Sequence, residues 1–109
     1  MQQLYADVTE TIEELDRINT KIWNWTDEPV FDEMKDAVEL LQPVIMKLIA
    51  NKEILNQCGM NIDEMEITNI LQQVVEAMGR EDMLVMAEEI EYRLLAKLVE
   101  FQYQIGELL

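Results

Sequence analysis

Histidine is absent from this sequence, and its 109 residues include only one cysteine, three glycines and two prolines. Without histidine, a ferritin-like di-iron site and a hydrolytic triad lack an essential group, and a zinc site has almost no candidate ligands. The lone Cys58 excludes an internal disulfide. No glycine-rich loop is present to cradle a phosphate. With so few turn-forming residues, the chain is suited to a small number of long elements.

Basic residues are also scarce, with eight lysines and arginines against 23 acidic residues and a net charge of −15. Such a chain is repelled by phosphate backbones and anionic membranes, so we expect it to bind neither nucleic acid nor membrane. No stretch is long and apolar enough for a membrane span, and the start does not resemble a signal peptide. A cytoplasmic protein is therefore predicted. It should form one domain, residues 1–109, because a chain of this length with half of its residues apolar can bury a core of its own.

The apolar residues recur every three or four positions, which is typical of α-helices with one buried face. The first helix is predicted from about Gln3 to Asn24. Its stripe consists of Leu4, Val8, Ile12, Leu15, Ile18, Ile22 and Trp25. The last helix opens after Asp82, and its stripe consists of Met83, Ala87, Ile90, Leu94, Leu98, Phe101, Ile105 and Leu108.

Between these helices the pattern predicts two more. One runs from about Glu28 to Gln57 after a cap at Thr26 or Asp27, and it is kinked near Pro43 because its stripe continues through the proline. Gly59 ends it with a left-handed residue. The other is capped by Asp63 and runs to about Met78, with Gly79 ending it. Its buried residues are predicted to be Ile67, Ile70, Leu71, Val74, Val75 and Met78.

Short connections force consecutive helices to lie antiparallel, so the predicted fold is an all-α, up-down-up-down antiparallel four-helix bundle. The second and fourth helices would reach roughly 40–45 Å and the third only about 25 Å. The long helices therefore overhang the short one. Residues 40–62 are also apolar on more than one side, which favours a homodimer.

Two carboxylate pairs are the candidate chemical site. Glu10 and Glu13 form an E-x-x-E motif, and Glu33 and Asp36 form E-x-x-D. On facing helices, four carboxylates could hold Mg²⁺. The motifs resemble those of the MazG-like all-α nucleotide pyrophosphatases. That resemblance implies Mg²⁺-dependent pyrophosphohydrolysis of nucleoside triphosphates, with these four residues as ligands. The alternative is a solvated acidic face, since Glu13–Asp16, Asp63–Glu66 and Glu88–Glu91 match as well.

Exposed apolar and aromatic residues are the candidate binding site. Trp23 lies off the first stripe, and it either anchors a partner or covers the overhanging end of the second helix. The apolar residues near the C-terminus point in several directions, as expected for an extension into a second subunit or client. The predicted interface consists of Trp23, Met46, Ile49, Phe101, Tyr103 and Ile105.

We therefore predict a non-catalytic, chaperone- or adaptor-like protein that self-associates and binds an apolar or basic helix of a protein partner. It needs no cofactor, metal or catalytic residue. The pyrophosphatase remains the alternative, and the charge also permits an acidic mimic that blocks a nucleic-acid-binding protein.

Two further resemblances accompany this prediction. The segment Ala87-Glu88-Glu89-Ile90-Glu91-Tyr92 resembles the closing helix of small uncharacterised bacterial helical proteins, which implies a bacterial source and a bundle fold. In size, acidity and helical plan the chain is similar to flagellar export chaperones, which clasp an apolar client helix.

Overall fold

The computed structural model describes residues 1–24 and 30–109, and in these residues it is all-helical, with no strand. The molecule measures about 43 × 23 × 20 Å. Its elements are α1 (Gln2–Trp23), α2 (Val30–Ala50), α3 (Lys52–Gln57), α4 (Glu64–Gly79), α5 (Met83–Glu89), a π-helical segment (Ile90–Leu95) and α6 (Ala96–Glu107). The predicted caps at Thr26 and Asp27, the start at Glu28 and the stripe residue Trp25 lie outside the described residues. None of the described helices combines the length and apolar character needed to cross a membrane.

Salt bridges fix the relative direction of α1 and α2. Lys47 Nζ lies 3.0 Å from Asp7 Oδ2, and Lys21 Nζ lies 2.9 Å from Glu33 Oε1. Residue numbers therefore rise along α1 while they fall along α2. The two helices are antiparallel.

The closing helix, α5 to α6, is antiparallel to α1 as well. Gln102 Nε2 donates to Thr9 Oγ1 at 2.9 Å, and the Tyr5 ring lies 3.3 Å from the position that a Cβ of Gly106 would occupy. Helix α4 packs along α5 and the π-helical segment, and Lys97 Nζ lies 2.7 Å from Glu66 Oε1. Because only a three-residue turn joins α4 to α5, this pair is also antiparallel.

The core follows the predicted stripes of the first and last helices. The buried members of these stripes are Leu4, Val8, Leu15, Ile18 and Ile22 on α1, and Ala87, Ile90, Leu94, Leu98, Phe101 and Ile105 on the closing helix. At the C-terminal end the stripe stops short of Leu108, which is exposed. Burial of these apolar faces supplies most of the stability of a helical protein.

One buried polar side chain ties α1 to the end of α5. Asn19 is almost fully buried. In the orientation that satisfies its amide, its nitrogen donates to the Ala87 carbonyl at 3.3 Å and its oxygen accepts from the Trp23 indole N–H at 3.2 Å. The polar group of Trp23 is therefore used within the chain, although the ring is partly exposed.

The second predicted helix is divided into two helices, α2 and α3, where one continuous element was expected. Helix α2 runs through Pro43 to Ala50, and the interruption falls at Asn51, before α3. There the Asn51 side chain donates to the Lys47 carbonyl at 2.8 Å, a local bond that competes with the regular helical ladder. A kink near Pro43 stays a prediction.

Gly59 ends α3 in the predicted way. It has φ = 98°, its N–H donates to the Asn56 carbonyl, and the N–H of Met60 donates to the Leu55 carbonyl, each at 3.1 Å. This is a Schellman motif. The Asn56 amide then holds the loop by accepting from the Ile62 N–H at 2.7 Å and donating to the Ile62 carbonyl at 3.1 Å.

The end of α3 and the loop after it contribute to the core. Leu55, Met60 and Ile62 are buried in the same cluster as Phe101 and Ile105. Since Glu66 in the first turn of α4 is level with Lys97, the end of α6 extends past α4. The predicted overhang is therefore seen for the last helix, and Phe101 and Ile105 on its inner side are buried.

The predicted start of α4 is confirmed, whereas its end differs from the prediction. Asp63 caps its start, as predicted, by accepting from the N–H groups of Met65 at 3.0 Å and Glu66 at 3.3 Å. At the other end Gly79 is the last helical residue, and the left-handed residue is Glu81, with φ = 54°. The helix is one residue longer than predicted, so Gly79 is its last residue, Arg80 is the C-cap and Glu81 takes the left-handed position of the Schellman motif.

The π-helical segment interrupts the closing helix where its apolar stripe changes spacing. Ile90, Leu94 and Leu98 follow each other by two steps of four, more than the 3.6 residues of an α-helical turn. A wider turn returns such residues to one face. All three side chains are buried.

Candidate functional site

A groove lies between the C-terminal half of α4 and the N-terminal half of α2, and we call it the α2–α4 groove. Its apolar lining includes Val38 from α2 and Val75 and Met78 from α4. Its polar lining residues are Lys35, Glu39, Gln42, Gly79 and Glu81. The groove is open to solvent, because Val75 is 51% exposed.

The groove exists because α2 and α4 have few close backbone contacts with each other. Helix α2 approaches α1 and α3, whereas α4 approaches α5 and the π-helical segment. Deeper in the molecule, Ile45 of α2 lines the same small cavity as Ile67 and Ile70 of α4, which closes the core there. Above Ile45, towards the start of α2, the apolar side chains of the two helices leave a channel between them.

Helical spacing extends the apolar side of the groove. Leu71, Val75 and Met78 recur by four and three residues, so they lie on one face of α4. Leu71 and Met78 are half-buried. On α2, Ile49 lies one turn beyond Ile45, outside the groove, and is packed partly against the core. The predicted burial of Val75 is wrong. Its neighbour Val74 lies on the buried face of α4, and Val75 lies beside that face, in the groove.

The six predicted interface residues do not form one surface. Trp23 and Met46 are exposed, Tyr103 is 71% exposed, and Ile49 is partly buried. Trp23 lies at the end of α1, whereas Tyr103 neighbours Gln102, which is bonded to Thr9 near the beginning of α1. These two aromatic residues are therefore at opposite ends of the molecule. Met46 and Ile49 lie one turn apart on α2, whereas Tyr103 shares α6 with Phe101 and Ile105.

Phe101 and Ile105 must be withdrawn from the predicted interface. Phe101 is 1% exposed and Ile105 is 0% exposed, and both belong to the central core cluster. The expectation that they face a partner is wrong, because both side chains are buried within the chain itself, where α6 packs along α1.

The four carboxylates of the predicted magnesium site do not converge. Glu10, Glu13 and Asp36 are exposed on their helices. Glu33 instead accepts from Lys21 Nζ at 2.9 Å and Arg17 Nη1 at 3.3 Å. The Lys21 ammonium, followed by the Arg17 guanidinium, lowers the pKa of Glu33 despite its partial desolvation. Across residues 1–24 and 30–109, no three acidic or cysteine side chains are grouped closely enough to hold a metal ion.

A second groove follows the π-helical segment along α4, and we call it the α4–π groove. Its charged lining residues are Glu66, Arg93, Lys97 and Glu100. Lys97 Nζ lies 2.7 Å from Glu66, 3.4 Å from Glu100 and 5.7 Å from the centroid of the Phe101 ring.

In the α4–π groove each charged side chain is already paired with another charged residue of the chain. Hydrogen bonding to Glu66 outweighs partial burial and raises the pKa of Lys97, so its amine stays protonated and cannot act as a base. Arg93 pairs with Glu89 at 3.3 Å. The Glu91 carboxylate raises the pKa of the exposed Tyr92. The groove thus holds an ion-pair network that joins two helices, with no activated nucleophile.

Most of the basic residues of the chain are used in the same way. Within the described residues, Arg17, Lys21, Lys47, Lys52, Arg93 and Lys97 each pair with a carboxylate. The exposed Glu39 and Glu81, at the rim of the α2–α4 groove, have no ion-pair partner in this part of the chain. Both carboxylates are therefore available to pair with a cation of another molecule.

No protein-family model matches the chain, no similar curated protein was found, and no solved structure matches it. Geometry and charge are therefore the basis on which a function is proposed.

Proposed function

We propose that this protein is a non-catalytic interaction protein, chaperone- or adaptor-like, whose α2–α4 groove receives the apolar face of a helix from a protein partner. The single observation that carries the proposal is the exposure of Val75 between two helices, beside Val38 and Met78. An apolar channel between helices is the surface used in helix-in-groove recognition. A cytoplasmic location, and the bacterial source suggested by the closing-helix resemblance, remain part of this proposal.

We also propose that the fold is an up-down-up-down four-helix bundle with α2 and α3 together as its second member. The antiparallel ion pairs between α1 and α2, and between α4 and the closing helix, support this arrangement. In such a bundle neighbouring helices normally interdigitate over their whole length. Because α2 and α4 do not interdigitate beyond Ile45, the channel between them leaves room for a helix from another molecule.

Self-association as a homodimer is a separate part of the proposal. The exposed Met46 and the partly buried Ile49 on α2 supply apolar surface for it. Two copies with a charge of −15 each repel one another, so a dimer should form more readily as salt screens that repulsion. Light scattering at 50 and 500 mM NaCl measures the mass directly. A monomeric mass at both concentrations would contradict this part.

Binding to the groove is tested with a synthetic peptide that represents the proposed ligand class. A fluorescein-labelled 18-residue peptide of leucine and lysine, with leucine at helical spacing, is titrated with the protein, and its anisotropy is recorded. In Val75→Asp, a carboxylate in the groove opposes apolar contact and should weaken binding about tenfold.

The matched control is Val99→Asp, because Val99 on α6 is similarly exposed, at 47%, and is not among the groove residues. This variant has the same charge change and should bind the peptide within about twofold of the unchanged protein. Circular dichroism verifies that both variants are folded. If the two variants bind the peptide equally well, or if the peptide does not bind the unchanged protein, the proposed function is overturned.

A further inference from the structure

We infer that the helix received by the α2–α4 groove belongs to a different protein and carries basic residues on both sides of its apolar stripe. These cations would face Glu39 on the α2 side and Glu81 on the α4 side. The inference rests on the proposed function of the groove, and it adds the charge and the origin of the partner.

The first argument is the distribution of charge around the apolar channel. Glu39 and Glu81 come from opposite walls, and both are exposed. Lys35 is the one basic residue among the lining residues, and it lies one turn from Glu39 on the same helix. A helix seated on Val38, Val75 and Met78 would therefore have an acidic residue on each flank. Basic residues beside its apolar stripe complement this arrangement.

The second argument is the contrast with the α4–π groove. There the carboxylates of Glu66 and Glu100 are both within 3.4 Å of Lys97 Nζ, so the chain satisfies its own charges. At the α2–α4 groove the described residues supply no such partner for Glu39 or Glu81. A cationic ligand can therefore pair with both carboxylates without displacing an ion pair of the chain.

The third argument excludes a second copy as the occupant. Among the described helices, α1, α2 and the closing helix each carry two basic residues, whereas α3 carries one and α4 none. In each of these three helices at least one basic residue is already paired within the chain, namely Arg17 and Lys21, Lys47, and Arg93 and Lys97. Moving them to another subunit would break the contacts that hold α1 to α2 and α4 to the closing helix.

The backbone of Glu81 adds a supporting observation. A residue with a side chain at φ = 54° is strained by comparison with glycine, and glycine is common at this position of a Schellman motif. The chain nevertheless places a carboxylate there, at the mouth of the apolar channel. This is the kind of local cost that proteins retain at functional positions.

The experiment compares three peptides with the same leucine positions, whose flanking positions are all lysine, all glutamine or all glutamate. At 50 mM NaCl the lysine peptide should bind about tenfold more tightly than the glutamine peptide. Glutamate flanks should abolish measurable binding. The substitutions Glu39→Gln and Glu81→Gln should each weaken binding of the lysine peptide about two- to fivefold, and leave the glutamine peptide unchanged.

Glu53→Gln is the matched control, since Glu53 is an exposed glutamate on α3 outside the groove. It should leave binding of the lysine peptide unchanged. If lysine and glutamine peptides bind equally, both sensitive to Val75→Asp, the charge inference is overturned and the proposed function stands. If Glu53→Gln weakens binding as much as Glu39→Gln, net charge rather than the groove attracts the peptide, and the inference fails. If Val75→Asp changes no titration, the proposed function fails with it.

Discussion

Lys21 of α1 places its ammonium nitrogen 2.9 Å from Glu33 Oε1 of α2, and Arg17, one turn earlier, reaches the same oxygen at 3.3 Å. The carboxylate that the E-x-x-D motif presents as a metal ligand is thus part of an ion pair between helices. Two cations next to one carboxylate stabilise its charged form. This explains the lowered pKa of Glu33 and links the contact between α1 and α2 to pH.

Substitution Glu33→Gln should cost stability at neutral pH and lose its effect in acid. The folded-state pKa of Glu33 lies below its ordinary value of 4.5, so its stabilisation is fully present above 4.5. It disappears as the pH falls through the lower folded value. Urea unfolding of both proteins at pH 7 and at pH 3 measures the difference. An equal difference in unfolding free energy at both values would show that the charge of Glu33 does not hold the helices together.

Phe101→Ala should lower the stability of the protein far more than Tyr103→Ala, although the two residues are only two positions apart on α6. Phe101 is enclosed by the core, and removal of its ring leaves a cavity that costs about 3–5 kcal/mol. Tyr103 is 71% exposed, so its truncation should change stability by about 0.5 kcal/mol or less. Thermal unfolding followed by circular dichroism compares them. Similar losses of stability in the two variants would contradict the burial of Phe101.

Glu81→Gly should stabilise the protein by about 1 kcal/mol. Glycine adopts the left-handed conformation without the steric cost that a Cβ carries, which outweighs its greater freedom in the unfolded chain. Glu81→Ala removes the carboxylate and keeps the Cβ, so it serves as the control and should give no such gain. The denaturant midpoints of both variants are compared with that of the unchanged protein. A gain of the same size in both variants would assign it to charge rather than to backbone conformation.

Several parts of the fold could be predicted from the sequence. The apolar stripes located α1 and the closing helix, and the spacing of Asp63 and Glu66 located the start of α4. These features depend on neighbours in the sequence. The break at Asn51 had a weak signal, since Lys52 interrupts the apolar stripe. The left-handed Glu81 had none, because the length of α4 decides which residue occupies that position.

The candidate site was harder to predict, for a physical reason. Periodicity tells which residues share a face, but it does not tell what covers that face. Phe101 and Ile105 lie on the predicted stripe of the closing helix, and yet their burial depends on residues far away in sequence: Phe101 lines the same small cavity as Ile45 of α2 and Ile67 of α4. Val75 shows the opposite case. It adjoins a buried stripe, and its exposure depends on the distance between α2 and α4.

The π-helical segment sets the register between the two halves of the closing helix. Residues before it, such as Met86, and residues after it, such as Phe101, face one core because Ile90–Leu95 take up a residue more than α-helical winding requires. If the same residues wound as a regular α-helix, everything downstream would turn by about 100°, which would carry Phe101 and Ile105 towards water. A chain shortened by one residue within the segment could wind regularly and still keep Phe101 and Ile105 on the core side. The segment is therefore the place where the closing helix should best tolerate the loss of one residue.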